Sequence, residues 1–234
     1  MTSQTRVLLG QANQLREQGK FLESLQLCDQ VILLALQDND LLTAAEAQSA
    51  RFIAFKLLYR DSPGSSYLIL AKHAAMVGVD LAKASNQPQA LPIPLFNLGK
   101  CEVEMEDYSS AIEHYQEAIN AFQENAPTSH NRPGVLADMK THLSVAEIKN
   151  GDQSAIERLK LAVEELEHSG EDQVSQYNFD VWRSGGYMHL ADILREQSPE
   201  KAREYLEKAR EIIESNPELT LRQEQLAKLA TKFS

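Results

Sequence analysis

Apolar residues recur along this chain at spacings of three and four, in segments several turns long, and short polar breaks containing Gly, Pro, Asn or Ser separate them. That is the period of helices with one buried face. The clearest stretch is Leu95 to Ile119, LFNLGKCEVEMEDYSSAIEHYQEAI. Leu98-Gly99 sets a large residue beside a small one on a first helix, Glu106-Asp107-Tyr108 makes a tight turn, and Ala111, Tyr115 and Ala118 form one stripe of a second helix. The small residues let the two helices approach closely, and the aromatic fills the space beside them.

Read the same way, the chain holds five helical hairpins, at about 5–36, 41–84, 94–124, 135–168 and 178–215, and a last helix at about 218–232. In the first, Ala12, Leu15, Gly19 and Phe21 give a small residue, a large residue, a turn glycine and an aromatic. Ser24, Cys28 and Val31 form the stripe behind them. The second is longer and is broken at Asp61-Ser62-Pro63-Gly64-Ser65-Ser66, where Ser65 or Ser66 can cap the helix that follows. Ahead of the third, Pro88, Pro92 and Pro94 predict an extended lead-in and a helix start near Leu95. The fourth turns at Asn150-Gly151-Asp152, with Ala155, Leu159 and Ala162 as its stripe. The fifth turns at Gln197-Ser198-Pro199, with Ala202, Leu206 and Ala209. The final helix, carrying Leu219, Leu226, Leu229 and Phe233, reads as a cap over the exposed end of the last hairpin.

The large–small pair followed by Ala, aromatic and Ala at these offsets resembles the tetratricopeptide repeat (TPR) family. The average period, about 43 residues, exceeds the roughly 34 of a plain TPR. It is similar to the longer-helix TPR variants of kinesin light chains, SNAP-type adaptors and bacterial regulatory domains. The resemblance implies an all-α fold, a right-handed superhelix (α-solenoid) of about five TPR-like hairpins plus a C-terminal capping helix, forming one domain over 1–234. It also implies a protein–protein interaction scaffold or adaptor whose first helices line a concave groove.

Composition agrees with this and excludes several alternatives. Of 234 residues, 43% are hydrophobic and 24% charged, the balance of an ordinary globular chain. The net charge of −11 argues against nucleic acid as a partner, because phosphate binding needs clustered Lys and Arg. Cys28 and Cys101 form no CxxC motif and are too few for a disulfide framework, which predicts a reducing, cytoplasmic setting. Cys28 reads as a small core residue rather than a nucleophile. The first twenty residues turn polar too early for a signal peptide, and Val31–Leu36 is far too short to span a membrane.

The search for chemistry returns little. The histidines, His73, His114, His130, His142, His168 and His189, make no HExxH or other close-spaced ligand pair, so no metal is expected. There is no phosphate-binding glycine loop, hence no nucleotide or other cofactor. Ser184-Gly185-Gly186 lies inside a predicted helix and reads as close packing or a kink, with room for a ligand as the functional alternative. Glu102, Glu104, Glu106 and Glu164, Glu165, Glu167 spread around helix surfaces and do not converge as an acid/base pair. No catalytic residue is expected.

Charge divides between the two helix sets: the first helices are together near neutral, and the second carry most of the acidity. Transferring the family's groove positions places Arg6, Leu9, Asn13 and Arg16 from the first hairpin, Arg51 and Phe55 from the second, Phe96, Asn97, Lys100 and Glu104 from the third, and Lys140 from the fourth on the concave face. The candidate binding set is Arg6, Asn13, Arg16, Arg51, Phe55, Phe96, Asn97, Lys100 and Lys140. Basic and amide side chains beside aromatics suit a peptide or protein segment bearing carboxylates, its backbone held by the amides. Asn13 falls at a position resembling the chaperone-binding carboxylate clamp, but Leu9 stands where that clamp has Lys, so chaperone C-termini are not expected as ligands. Two other readings remain open. One is a self-associating homodimeric module, and the other is a regulatory sensor domain binding a signal peptide. The helical pairs leave no room in this chain for an attached output domain. The loop Asn125–Gly134 is long enough to cover part of the groove.

Overall fold

The computed structural model describes residues 3–64, 66–127, 133–169 and 176–233. These residues form eleven α-helices and two short 3-10 turns, with no strand among them. The chain divides into two compact units, residues 1–129 and 130–234.

The first unit contains three hairpins: α1 (Ser3–Glu17) with α2 (Phe21–Gln37), α3 (Leu41–Asp61) with α4 (Tyr67–Ala84), and α5 (Pro92–Glu104) with α6 (Tyr108–Glu124). Each helix packs on the one before it, and the first helices also touch one another, α1 on α3 and α3 on α5. No comparable pairing joins α2 to α4 or α4 to α6 among the described residues. In a curved stack the row whose members meet is the inner one, so α1, α3 and α5 line the inside of the bend.

Local chemistry explains the ends of these helices. Asp40 caps α3, accepting from the Thr43 N–H at 3.0 Å and its hydroxyl at 2.6 Å; Asp107 caps α6 through the Ser110 N–H at 3.3 Å. The proline expectation was wrong. Helix α5 begins at Pro92, with Pro94 also inside its first turn, and Pro88–Ala90 forms a 3-10 turn rather than an extended lead-in. The first four N–H groups of a helix have no partner within it, so prolines there break no hydrogen bond. Whether Ser65 caps α4 falls outside the described residues; Ser66 holds the cap position without a side-chain bond.

The tightest contact lies inside the third hairpin. A Cβ built on Gly99 would sit 2.6 Å from Tyr115 Cε1, and Tyr115 is fully buried. Small residue and aromatic interlock as their spacing predicts. In the first hairpin Ser24 replaces the expected small apolar residue, and its hydroxyl donates to the Ala12 carbonyl at 2.8 Å. Cys28 beside it is fully buried, and burial pushes its thiol up to about 11; Cys101 is likewise buried and raised to about 12. Both are inert as nucleophiles near neutral pH.

Three hairpin turns place glycine in the left-handed region, Gly19 at φ 74°, Gly64 at φ 82° and Gly151 at φ 103°; the third hairpin has Glu106 there, at φ 61°. An L side chain in that region costs roughly 1–2 kcal/mol. Glycine carries an entropy penalty of about 0.5–1 kcal/mol in return. Glu106→Gly should therefore stabilise the protein by about 0.5–1 kcal/mol, read as a higher urea midpoint at unchanged slope. A lower midpoint would show that Glu106 makes a compensating contact.

The second unit contains α7 (Pro133–Lys149) with α8 (Ala155–His168), α9 (Gln176–Leu194) with α10 (Pro199–Ser215), and α11 (Thr220–Ala230), followed by a 3-10 turn at Thr231–Phe233. Here too the first helices touch, α7 on α9 and α9 on α11. The predicted stripes are buried: Ala155, Leu159 and Ala162 on α8, and Ala202, Leu206 and Ala209 on α10. Gly185 and Gly186 are packing glycines. A Cβ on Gly186 would meet Val163 at 3.0 Å, and one on Gly185 would meet the Arg222 guanidinium at 2.8 Å. The loop predicted to cover the groove includes residues 128–132, which lie outside the described residues.

Candidate partner-binding face

The inner row of the first unit carries most of the groove residues expected from sequence. On α1, Asn13 and Arg16 are joined, the Arg16 Nη1 donating to Asn13 Oδ1 at 2.9 Å while Nη2 pairs with Glu17 at 2.9 Å. Arg6 is exposed on the same helix. Its charge opposes the effect of burial on Glu46 of α3, whose carboxyl burial and the neighbouring Asp40 push above the usual range.

On α3, Arg51 is held from three sides. Its Nε lies 3.1 Å from Asp29 of α2, its Nη1 donates to Gln48 Oε1 at 3.1 Å, and its guanidinium lies 5.6 Å from the centre of the Phe55 ring. Arg16 and Arg51 both oppose the larger, raising effect of burial on the Cys28 thiol.

On α5, the Lys100 ammonium stands 3.8 Å from the centre of the Phe96 ring, close enough for a cation–π contact. Phe96 in turn packs on Tyr115 at 5.5 Å between centroids. Phe55, stacked on Tyr67 of α4 at 6.5 Å, and Phe96 are buried at 9% and 5% exposure. Both rings lie in hairpin cores and serve the inner face by supporting cations rather than as open aromatic surface.

Asn97 is 6% exposed, and its Nδ2 is buried without a hydrogen-bond partner. A buried donor left unmade costs roughly 1–3 kcal/mol. Two further residues of these helices bear on the face and were not singled out in sequence. Gln48, only 5% exposed, is the one side-chain amide of α3 and Asn97 that of α5, while α1 carries Gln4, Gln11 and Gln14 besides Asn13. Lys56 of α3 reaches Glu104 of α5 at 3.6 Å and ties the row together. Gln48, in AAEAQSARF, is a lone amide among alanines, three residues before Arg51, and that was its sequence signal. Lys140 lies on α7 in the other unit, where its ammonium pairs with Glu165 of α8 at 2.6 Å.

The remaining polar clusters are internal braces. In the first unit Glu102, 3% exposed, meets His114 at 2.7 Å and Lys72 at 3.7 Å, linking α4, α5 and α6. In the second, Arg183 grips Glu167 through two bonds of 2.8 and 2.7 Å. These bonds hold the Glu167 carboxyl below its usual range although burial works against them. Asp180 accepts from Gln176 at 2.8 Å and Asn216 at 2.9 Å. No group of three His, Cys, Asp or Glu among the described residues is arranged to hold a metal ion. No described helix is long and apolar enough to cross a membrane.

No protein-family profile matches the chain, and no curated protein matches it in sequence. Solved structures do match. A Podosopora anserina protein of nearly identical TPR-like repeats is 16% identical, with a TM-score of 0.59 over 92% of this chain and 97% of that one. BtubC from P. vanneervenii is 15% identical, with a TM-score of 0.64 over 87% and 77%. A Rap protein complexed with competence and sporulation factor is 14% identical, with a TM-score of 0.62 over 98% of this chain but only 64% of the Rap chain. At these identities the likeness is one of fold, and it agrees with the interlocked hairpins and their inner row: the chain has the all-α fold of the TPR-like helical repeats.

Proposed function

We propose that this protein is a non-catalytic interaction scaffold of the cytoplasm, and that the inner face of α1, α3 and α5 binds an extended, acidic segment of a partner protein or peptide. The observation that supports this reading is the set of amides Asn13, Gln48 and Asn97 on successive first helices, with Arg16, Arg51 and Lys100 on the same helices. An extended backbone offers a carbonyl at regular intervals, and side-chain amides both donate and accept. The cations give preference for carboxylates. Arg16 and Arg51 already pair with half-exposed carboxylates, Glu17 and Asp29, and a ligand carboxylate can take the place of these. The Rap structure with its bound factor supports a binding role for this fold. Two free, buried cysteines fit a reducing compartment.

The test is fluorescence-polarisation binding of acidic, neutral and basic 12-residue peptide pools to wild type and to Arg16→Glu/Arg51→Glu/Lys100→Glu, each shown folded by circular dichroism. Acidic peptides should bind wild type best and lose at least tenfold in the triple variant. Equal affinity for both proteins would remove the site from this face.

A further inference from the structure

Helix α4 carries an apolar stripe that nothing in the first unit covers. Ile69, Leu70, Met76 and Val77 are 54%, 42%, 45% and 41% exposed, and His73 is exposed between them. These five positions share the outward face, whereas the outward positions of α6, such as Glu113, Gln116, Glu117 and Asn120, are all polar.

The stripe is symmetric about His73. Leu70 and Met76 lie three residues to either side of it, and Ile69 and Val77 lie four. When two copies of one helix pack antiparallel across a two-fold axis, residues equally far before and after the axis meet. With the axis at His73, Ile69 faces the Val77 position of the other copy, and Leu70 faces the Met76 position, so every apolar residue of the stripe meets an apolar one.

The same register is complementary in charge. Asp80 lies seven residues after His73, and Ser66, the N-cap of α4, lies seven before it. The Ser66 side chain makes no capping bond, and a helix N-terminus favours an anion. Each Asp80 carboxylate would therefore reach the start of α4 in the other copy. The exposed leucines of α2, Leu22, Leu33 and Leu36, have no such symmetry; the midpoint of the outer two is Asp29, which is held by Arg51.

We propose that the outer face of α4 is a self-association surface, on which a second copy of this chain packs its own α4 antiparallel with the two-fold axis at His73. One helix pair covers less than the roughly 1,200 Å² of a stable complex, so the dimer is weak and concentration-dependent. It leaves the inner face of the unit open.

Sedimentation velocity over a concentration series should show wild type moving from protomer mass toward twice that mass. Met76→Glu should shift the association midpoint at least tenfold higher, with an unchanged circular dichroism spectrum. A second test avoids dependence on that variant. In a helix pair crossing at His73, the two residue-73 Cα atoms come within disulfide range, about 4.4–6.8 Å. Oxidised His73→Cys should thus form a covalent dimer at least tenfold faster than Leu33→Cys, an exposed control on α2; the native cysteines are buried. A wild type that stays at protomer mass throughout, or equal cross-linking rates at positions 73 and 33, would overturn the proposal.

Discussion

Tyr115→Ala should lower the stability of the first unit by about 3–5 kcal/mol, the range for truncating a large buried aromatic. Tyr115 is fully buried, and its ring occupies the gap that Gly99 leaves on the facing helix, with Phe96 closing the side at 5.5 Å. One wall of the cavity would be a glycine with no side chain to shift inward, so relaxation recovers little. The converse substitution tests the same interlock. Gly99→Ala gains about 1 kcal/mol of helix propensity. Its new methyl, however, would stand 2.6 and 2.7 Å from two ring carbons of Tyr115, and overpacking of this kind costs roughly 1–3 kcal/mol. A net loss of about 1 kcal/mol is expected, and the double variant should lose less than the sum of the two singles, because alanine at 115 removes the clash. Urea unfolding of the four proteins measures all of this. A Gly99→Ala protein as stable as wild type would show that the ring is free to move and that the hairpin is not locked by this pair.

That interlock was legible in sequence because it depends on residues within one hairpin, at spacings a helix fixes. The same holds for the stripes Ala155, Leu159, Ala162 and Ala202, Leu206, Ala209, which are buried as expected. Helix ends were less legible. Pro92 and Pro94 were read as barring a helix, yet their place in its first turn needs no N–H, and a pattern of apolar residues cannot tell the first turn from the turn before it.

Contacts within the candidate face were not legible. The resemblance put Arg51 and Lys100 on the first helices of their hairpins; it could not show that Arg51 reaches back to Asp29 on α2, nor that Phe55 and Phe96 are buried against Tyr67 and Tyr115. Lys140 was grouped with the others by register alone and lies in a different compact unit. Gln48 escaped notice because its amide is defined by what buries it. The Gly185-Gly186 pair was rightly read as close packing, but what packs on Gly185 comes from the last helix of the chain, which no local pattern reveals.

Filling that slot should loosen the last helix. At Gly185, α9 leaves room for the Arg222 guanidinium of α11, whose Nη2 donates to the Val181 carbonyl at 2.8 Å and whose Nη1 donates to Gln225 at 2.7 Å. Burial presses the pKa of this guanidinium down, opposed by the charge of Asp138 on α7, and the side chain remains partly open to water. In Gly185→Val the new side chain would occupy the slot; even its Cβ alone would stand 2.8 Å from Nη2. The flexible arginine would swing out to water, and the Val181 bond would be lost. Leu219, Leu226 and Leu229 remain buried and keep α11 on the unit, so the helix should loosen rather than detach. The expected cost is about 2 kcal/mol, that of a lost charged hydrogen bond. Amide exchange in α11 should accelerate at least tenfold while α7 and α8 change little. Arg222→Ala should cost a similar amount by leaving the slot empty. The double variant should lose less than the sum of the two singles, because both remove the same Val181 bond and valine fills the space that alanine leaves. Unchanged exchange in α11 of Gly185→Val would mean that the apolar residues alone hold the last helix, and Arg222 would then be a tolerated burial rather than a fastening.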